Sequence, residues 1–117
     1  MDWGMANRLA RCIPPDGRCY FLAVDHGYFQ GPTTKLERPG ETVAPLMPYI
    51  DALLVARGSL RAAIPAHFDK GLILRVSGGT SMVGKDLARE AVTTSMDEAL
   101  RLNAQAVGLS VFIGSDY

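Results

Sequence analysis

The sequence predicts an α/β fold built on a parallel β-sheet, and two features of the chain carry that prediction. Four apolar runs rich in Val, Ile, Leu and Ala recur along the chain, without strict alternation of polar and apolar residues. Such runs are typical of strands that are buried on both faces of a parallel sheet. Each run ends in glycine or polar residues, as barrel strands do at the end where chemistry takes place. The runs lie at 20–24, 51–58, 71–80 and 106–113.

The segments between the apolar runs are predicted to be mostly short helices. Met5, Leu9 and Cys12 have helical spacing in the first of them, which must end before the two prolines that follow. Ser95 and Glu98 form a capping box that opens another helix. The predicted helices cover residues 4–12, 41–47, 59–64 and 96–103, and a breaker-rich loop covers 31–40.

Composition excludes several classes of protein. The 117 residues suggest one domain, and the 12 basic residues balance the 12 acidic ones without forming a basic stripe. Nucleic acid and anionic membranes are therefore poor candidates for partners. The apolar runs are far shorter than the roughly 20 residues that a bilayer span needs, and residues 1–15 lack the apolar segment of a secretory signal. We expect a cytoplasmic protein that binds neither nucleic acid nor membrane.

The two cysteines do not form a recognisable metal or redox motif. Cys12 and Cys19 are separated by six residues, whereas zinc sites use closer pairs and a redox pair would be Cys-x-x-Cys. We expect reduced thiols and no bound metal, although a disulfide that closes the turn between the two cysteines is sterically conceivable.

Asp25 and His26 are the strongest catalytic candidates because they follow the first apolar run directly. Side chains of successive strand residues point to opposite faces, so these two can share a site only where the strand breaks. Gly27 makes such a break inexpensive. A carboxylate and an imidazole at this position can move protons to and from a substrate. Asp25 could instead cap a loop or pair with an arginine.

Polar residues at the ends of the second and third runs are candidates for substrate binding. Arg57 and Arg75 lie in or at the end of apolar runs, and a buried guanidinium must be paired or reach solvent. Each could bind substrate oxygen or pair with Asp25, or form a structural ion pair. Ser77 and Gly78 open a glycine-rich segment whose backbone N–H groups could face an anion, although so short a pattern more often forms a plain tight turn.

Three motifs resemble a known family, the archaeal-type class I fructose-bisphosphate aldolases and their related thiolases. The resemblance extends over essentially the whole chain, and the second motif is long enough to be specific. The motifs are Asp2-Trp3-Gly4, Val24-Asp25-His26-Gly27-Tyr28-Phe29-Gln30-Gly31-Pro32-Thr33-Thr34 and Ser95-Met96-Asp97.

The resemblance implies a (β/α)8 TIM barrel that forms a Schiff base between a lysine and a phosphorylated ketose or diketone, with no cofactor or metal. It implies that Asp25 and His26 are the acid–base residues and that the protein is a ring-based homo-oligomer such as a decamer. The chain resembles about the first four β/α units. Residues 1–117 would then be the N-terminal half of one barrel domain, with a helix and turn at 1–19 and strands one to four at 20–117.

The resemblance also implies that the imine-forming lysine is absent from this chain. In the family that lysine lies near the end of the sixth strand, whereas Lys35, Lys70 and Lys85 end no apolar run. An alternative is therefore a non-catalytic half-barrel that functions or folds only by assembly with a partner half or with itself. A doubly wound nucleotide-binding sheet is a third possibility, but no Gly-x-Gly-x-x-Gly follows the first run.

Overall fold

The computed structural model describes residues 1–116, and its centre is a parallel sheet of four strands in the order β1-β2-β3-β6. The predicted α/β class with a parallel sheet is confirmed. A separate antiparallel ribbon joins β4 to β5. The strands are β1 Phe21–Ala23, β2 Ala52–Ala56, β3 Gly71–Arg75, β4 Ser77–Gly78, β5 Ala91–Val92 and β6 Ala106–Gly108. The helices are α1 Trp3–Cys12, α2 Gly27–Gln30, α3 Pro39–Val43, α4 Arg57–Ala63 and α5 Met96–Arg101, with a 3₁₀ helix at Ala44–Tyr49.

Helices α3 to α5 contribute to a core against one face of the sheet. Leu53 and Leu74 are completely buried on this face, where Val43 of α3 and Ala99 of α5 join the same hydrophobic cluster. Because adjacent strands are in register, alternate residues of β1, β2 and β3 point together to the opposite face.

The opposite face of the sheet is more exposed than the sequence predicts. Phe21 is 46 % exposed, while Leu54 and Ile73 are only partly buried. The expectation that every strand is buried on both faces is therefore wrong for this face. The physical reason is that the main hydrophobic cluster of residues 1–116 lies on the helix side of the sheet. We call the exposed side the open face.

Most predicted boundaries hold, and the exceptions have local causes. The first helix is confirmed, and the Ser95 hydroxyl caps α5 by accepting a hydrogen bond from the Glu98 N–H at 3.2 Å. The helix expected at 41–47 is instead a short α-helix followed by the 3₁₀ helix, in which Pro48 cannot donate a helical hydrogen bond. The strand in the third apolar run ends at Arg75, although the run extends to residue 80. The strand in the fourth run ends at Gly108, although the run extends to residue 113.

Two glycines allow helices to approach the neighbouring backbone closely. A Cβ atom at Gly71 would lie 2.6 Å from the carbonyl oxygen of Arg11, so α1 can pack against the start of β3. A Cβ atom at Gly40 would lie 2.5 Å from the carbonyl oxygen of Ala63, where α3 meets α4. Within residues 1–116, no helix is both long enough and apolar enough to cross a membrane.

Candidate functional site

The carboxyl ends of β1 and β3 bring two predicted site residues together on the open face. Arg75 is the last residue of β3, and Asp25 lies two residues beyond the end of β1. Nη1 of Arg75 donates to Oδ2 of Asp25 at 3.4 Å. Only 11 % of the Arg75 side chain and 7 % of the Asp25 side chain are exposed. The candidate site therefore lies at the end of the sheet where parallel α/β proteins bind their ligands.

Arg75 is the centre of the cluster because its guanidinium reaches several acceptors at once. Nε donates to the carbonyl oxygen of Ser77 at 3.1 Å, which fixes the plane of the group. Nη2 donates to Oε2 of Glu90 at 2.9 Å, to Oγ of Ser110 at 2.6 Å and to the Tyr28 hydroxyl. A planar group with five donors suits such a site. The guanidinium is thus held rigidly at the end of β3.

Glu90 is the acidic residue that Arg75 holds most closely. Its side chain is 5 % exposed and accepts hydrogen bonds from Arg75, from Oγ of Ser77 at 2.6 Å and from the Tyr28 hydroxyl. Burial alone would raise the pKa of Glu90, but the hydrogen bonds from Ser77 and Tyr28, together with the Arg75 charge, outweigh it. The pKa of Glu90 therefore lies below its ordinary value, and Glu90 remains a carboxylate.

Tyr28 covers one side of the guanidinium. The central carbon of that group lies 4.1 Å from the centroid of the Tyr28 ring, which is a cation–π contact. Tyr28 lies in α2, the single helical turn that begins directly after Asp25 and His26. Burial, and then the hydrogen bond to Glu90, raise the pKa of the Tyr28 hydroxyl above its ordinary value. Tyr28 is accordingly a protonated donor in this cluster.

A cavity of about 200 Å³ adjoins the cluster and is lined by all four predicted substrate-binding residues. Arg57 begins α4 there and is exposed, while Arg75 and Ser77 form the boundary with the cluster. The structure thus brings together Arg57, Arg75, Ser77 and Gly78, with Tyr28, Thr93 and Thr94 also lining the cavity. A guanidinium beside several hydroxyl groups can bind an anionic or carbonyl oxygen.

His26 is not joined to Asp25 by a side-chain hydrogen bond among the described residues. It lies directly before α2 with helical backbone angles. Its Nδ1 atom is buried without a hydrogen-bond partner among residues 1–116. Its assignment as an acid–base residue therefore stays a prediction.

The remaining titratable candidates lie away from the cluster's contacts. Lys35 and Lys85 are exposed, and Lys70 is the residue before β3, at the opposite end of that strand from Arg75. Cys12 and Cys19 are free thiols, and burial, with a smaller effect of Cys19, raises the pKa of Cys12. Within residues 1–116, no group of three or more His, Cys, Asp or Glu side chains could hold a metal ion.

Sequence reasoning missed three members of the cluster, namely Tyr28, Glu90 and Ser110. Tyr28 lies within the long motif, three residues after Asp25, and one turn of helix is enough to bring it back to the strand end. Ser110 lies beyond β6, in the part of the fourth run that was expected to be strand. Glu90 had no sequence signal, because it precedes a two-residue strand in a segment without periodicity.

Curated proteins similar to this chain are thiolases. The chain is 49% identical over 118 residues to the 3-hydroxy-5-phosphonooxypentane-2,4-dione thiolases of Yersinia pseudotuberculosis, Photorhabdus laumondii and Escherichia coli. The match covers 100% of this chain and 40% of each relative, so the chain spans less than half of their length. These relatives confirm the resemblance that the sequence motifs indicate. No protein-family model matches the chain.

Solved structures with a similar fold include fructose 1,6-bisphosphate aldolases. One of them, described as Schiff-base-forming, has a TM-score of 0.77 and 24% sequence identity. The match covers 96% of this chain and 46% of that structure. An archaeal fructose 1,6-bisphosphate aldolase gives a TM-score of 0.74 with the same identity and coverage. At this identity the similarity shows the fold alone, a parallel sheet with helices that resembles part of these aldolases.

Proposed function

We propose that this chain supplies the first part of a class I aldolase- or thiolase-type enzyme that acts on a phosphorylated ketose or diketone through an imine. The observation that carries the proposal is the buried cluster of Asp25, Arg75 and Glu90 at the carboxyl ends of the strands. The identity of 49% to dione thiolases over the entire chain supports the same activity.

Asp25 is the proposed proton-transfer group. Imine formation requires a proton on the departing hydroxyl of the carbinolamine, which then leaves as water. A carboxylic acid at Asp25 can donate this proton and become a carboxylate, and positioned groups of this kind contribute about 10²–10⁴ to a rate. His26, directly beside Asp25, is the proposed second acid–base group, since an imidazole can both accept and donate a proton.

Arg57 and the cavity next to it form the proposed contact with substrate oxygen atoms. Arg75 is already engaged by Glu90 and Asp25, whereas the exposed Arg57 forms no ion pair with any other residue of 1–116. The Thr94 hydroxyl and the backbone at Gly78, which line the same cavity, would complete that contact, because the Ser77 and Thr93 hydroxyls already donate to Glu90 and to the Val76 carbonyl oxygen. The phosphate group of a phosphorylated substrate would supply an anionic partner for the Arg57 guanidinium.

The nucleophilic lysine would come from the part of the enzyme that this chain does not contain. Lys70 lies at the far end of β3 from Arg75, and Lys35 and Lys85 are exposed. The chain would form the N-terminal half of a TIM barrel, and the remaining strands would cover its open face. A ring-shaped homo-oligomer of such barrels, as the family resemblance implies, is part of the same proposal.

A hybrid enzyme tests the proposal directly. Residues 1–117 would replace the matching 118-residue segment of the Yersinia pseudotuberculosis thiolase, so that the remainder comes from the relative. We expect the hybrid to consume 3-hydroxy-5-phosphonooxypentane-2,4-dione under conditions in which the Yersinia protein does so. Asp25→Asn should lower kcat of the hybrid by about 10²–10⁴ without changing its thermal melting point by more than a few degrees.

Asp69→Asn is the matched control, because Asp69 is exposed and precedes β3, at the opposite end of that strand from Arg75. This variant should keep the turnover of the parent hybrid. A well-folded hybrid that leaves the dione untouched would refute the proposed activity. An Asp25→Asn hybrid with near-normal turnover would remove Asp25 from the reaction.

A further inference from the structure

One cation serves two buried carboxylates in the cluster around Arg75. The side chains of Asp25 and Glu90 are 7 % and 5 % exposed, and both contact the same guanidinium. The contacts are unequal, since the Arg75–Glu90 distance is 2.9 Å and the Arg75–Asp25 distance is 3.4 Å. With both acids ionised, the three groups carry a net charge of −1, which favours the uptake of one proton by the cluster.

Hydrogen bonds decide which carboxylate keeps its charge. Glu90 accepts from Arg75, Tyr28 and Ser77, and each of these bonds stabilises its ionised form. For Asp25, the contact with Arg75 is the single side-chain hydrogen bond recorded among the described residues. A proton that enters the cluster is therefore directed to Asp25 rather than to Glu90.

We propose that Glu90 is a positioning residue that acts through Arg75, taking the closer contact with the guanidinium so that Asp25 can take up and release a proton. This inference rests on the proposed function, in which Asp25 transfers protons. Without Glu90, the full charge of Arg75 would act on Asp25 alone. Asp25 would then be held as a carboxylate and would be a poor acid.

The other titratable or charged groups near Asp25 do not take over this role. His26 is its neighbour in the chain, Tyr28 lies on α2, and Arg57 begins α4 and lines the adjoining cavity. None of these groups is a carboxylate, so none of them can compete with Asp25 for the guanidinium as Glu90 does. Among residues 1–116, Glu90 and Asp25 are the two carboxylates recorded in contact with Arg75.

Infrared difference titration of the hybrid labelled with 13C-aspartate tests the inference without relying on turnover. The Asp25 carboxyl band is assigned by its loss in the Asp25→Asn hybrid. In Glu90→Gln, we expect the midpoint of this band to move to lower pH by about one to two units, because a full opposite charge then acts on Asp25. At neutral pH, kcat should fall about tenfold or more while KM changes much less.

Two variants separate this role from a structural one. Glu90→Asp keeps the charge and should restore the midpoint, while Glu37→Gln alters an exposed glutamate and should change neither quantity. A lower kcat with an unmoved midpoint would mean that Glu90 only supports the fold, and it would overturn the inference. An inactive parent hybrid would refute the proposed function, and the band midpoint would still decide the role of Glu90.

Discussion

Replacing Arg75 by methionine should destabilise the folded chain by about 3–5 kcal/mol, the usual cost of removing one partner from a buried ion pair. Methionine retains much of the aliphatic stem but leaves Glu90 and Asp25 without a cation, and their side chains are only 5 % and 7 % exposed. The loss would be a large part of the roughly 5–15 kcal/mol that stabilises a typical domain. It should therefore be measurable in a single denaturation experiment.

Urea unfolding followed by far-ultraviolet circular dichroism is the suitable assay, since urea does not screen charges. Trp3 is 80% exposed at the start of α1 and would report poorly on the sheet. Parent and variant should be compared at equal protein concentration, so that any self-association acts on both. The free energy of unfolding follows from the midpoint and the slope of each transition.

The pH dependence of the loss identifies its electrostatic origin. In the parent, the pKa of Glu90 is lowered, so its contribution to stability is present above the unfolded-state pKa and is lost as the pH falls through the folded-state pKa. In Arg75→Met, the buried carboxylates of Glu90 and Asp25 have no cation beside them. Their protonation at lower pH removes the free-energy cost of the unpaired buried charges and so stabilises the variant. The difference between parent and variant should be largest near pH 7 and should shrink as the pH falls towards about 4.

Arg57→Met is the matched control, because Arg57 is exposed and forms no ion pair within the described part of the chain, residues 1–116. A surface change of this kind should alter the free energy of unfolding by less than about 0.5 kcal/mol. If Arg75→Met were no more destabilising than Arg57→Met, the cluster would not be a buried ionic site. A loss that stayed constant between neutral and acidic pH would assign it to packing instead of charge.

Two further predictions concern packing and the missing nucleophile. Gly40→Ala should lower the free energy of unfolding by about 1–3 kcal/mol, because the new Cβ would lie 2.5 Å from a backbone oxygen. Gly58→Ala is the control and should not destabilise the chain, because its Cβ would have no atom within 4 Å. Urea unfolding measures both variants. Borohydride treatment of the chain with the dione should attach no substrate to its lysines, as judged by mass spectrometry. Reduced substrate attached to Lys35, Lys70 or Lys85 would show that the chain carries its own nucleophile.

The strand positions could be predicted from sequence because each strand depends on a local property. The runs around Leu53 and Leu74 are apolar enough to mark buried strands, and their polar ends mark one edge of the sheet. Asp25 and Arg75 could be proposed as site residues for the same reason. Their pairing across 50 residues could be considered from the sequence but not decided.

The role of Glu90 could not be predicted, because no local rule places it beside Arg75. It reaches Tyr28 across 62 residues, and that contact depends on the antiparallel ribbon of β4 and β5. Strands of two residues are too short to give a periodic pattern. The exposure of the open face is likewise not visible in the strands themselves, because an apolar strand residue has the same appearance in sequence whether or not a partner covers it.

Arg75 occupies a row of the sheet in which its in-register neighbours are Ala56 on β2 and Gly108 on β6. The row has space for one long side chain because both neighbours are small, and a Cβ at Gly108 would already lie 2.9 Å from Leu54 Cδ1. Moving the positive charge to an adjacent strand would therefore require two simultaneous substitutions. Ala56 or Gly108 would have to be replaced by a long basic residue, and Arg75 by a small one. Evolutionary substitutions at these positions should be coupled, and single steps along that path should be poorly tolerated.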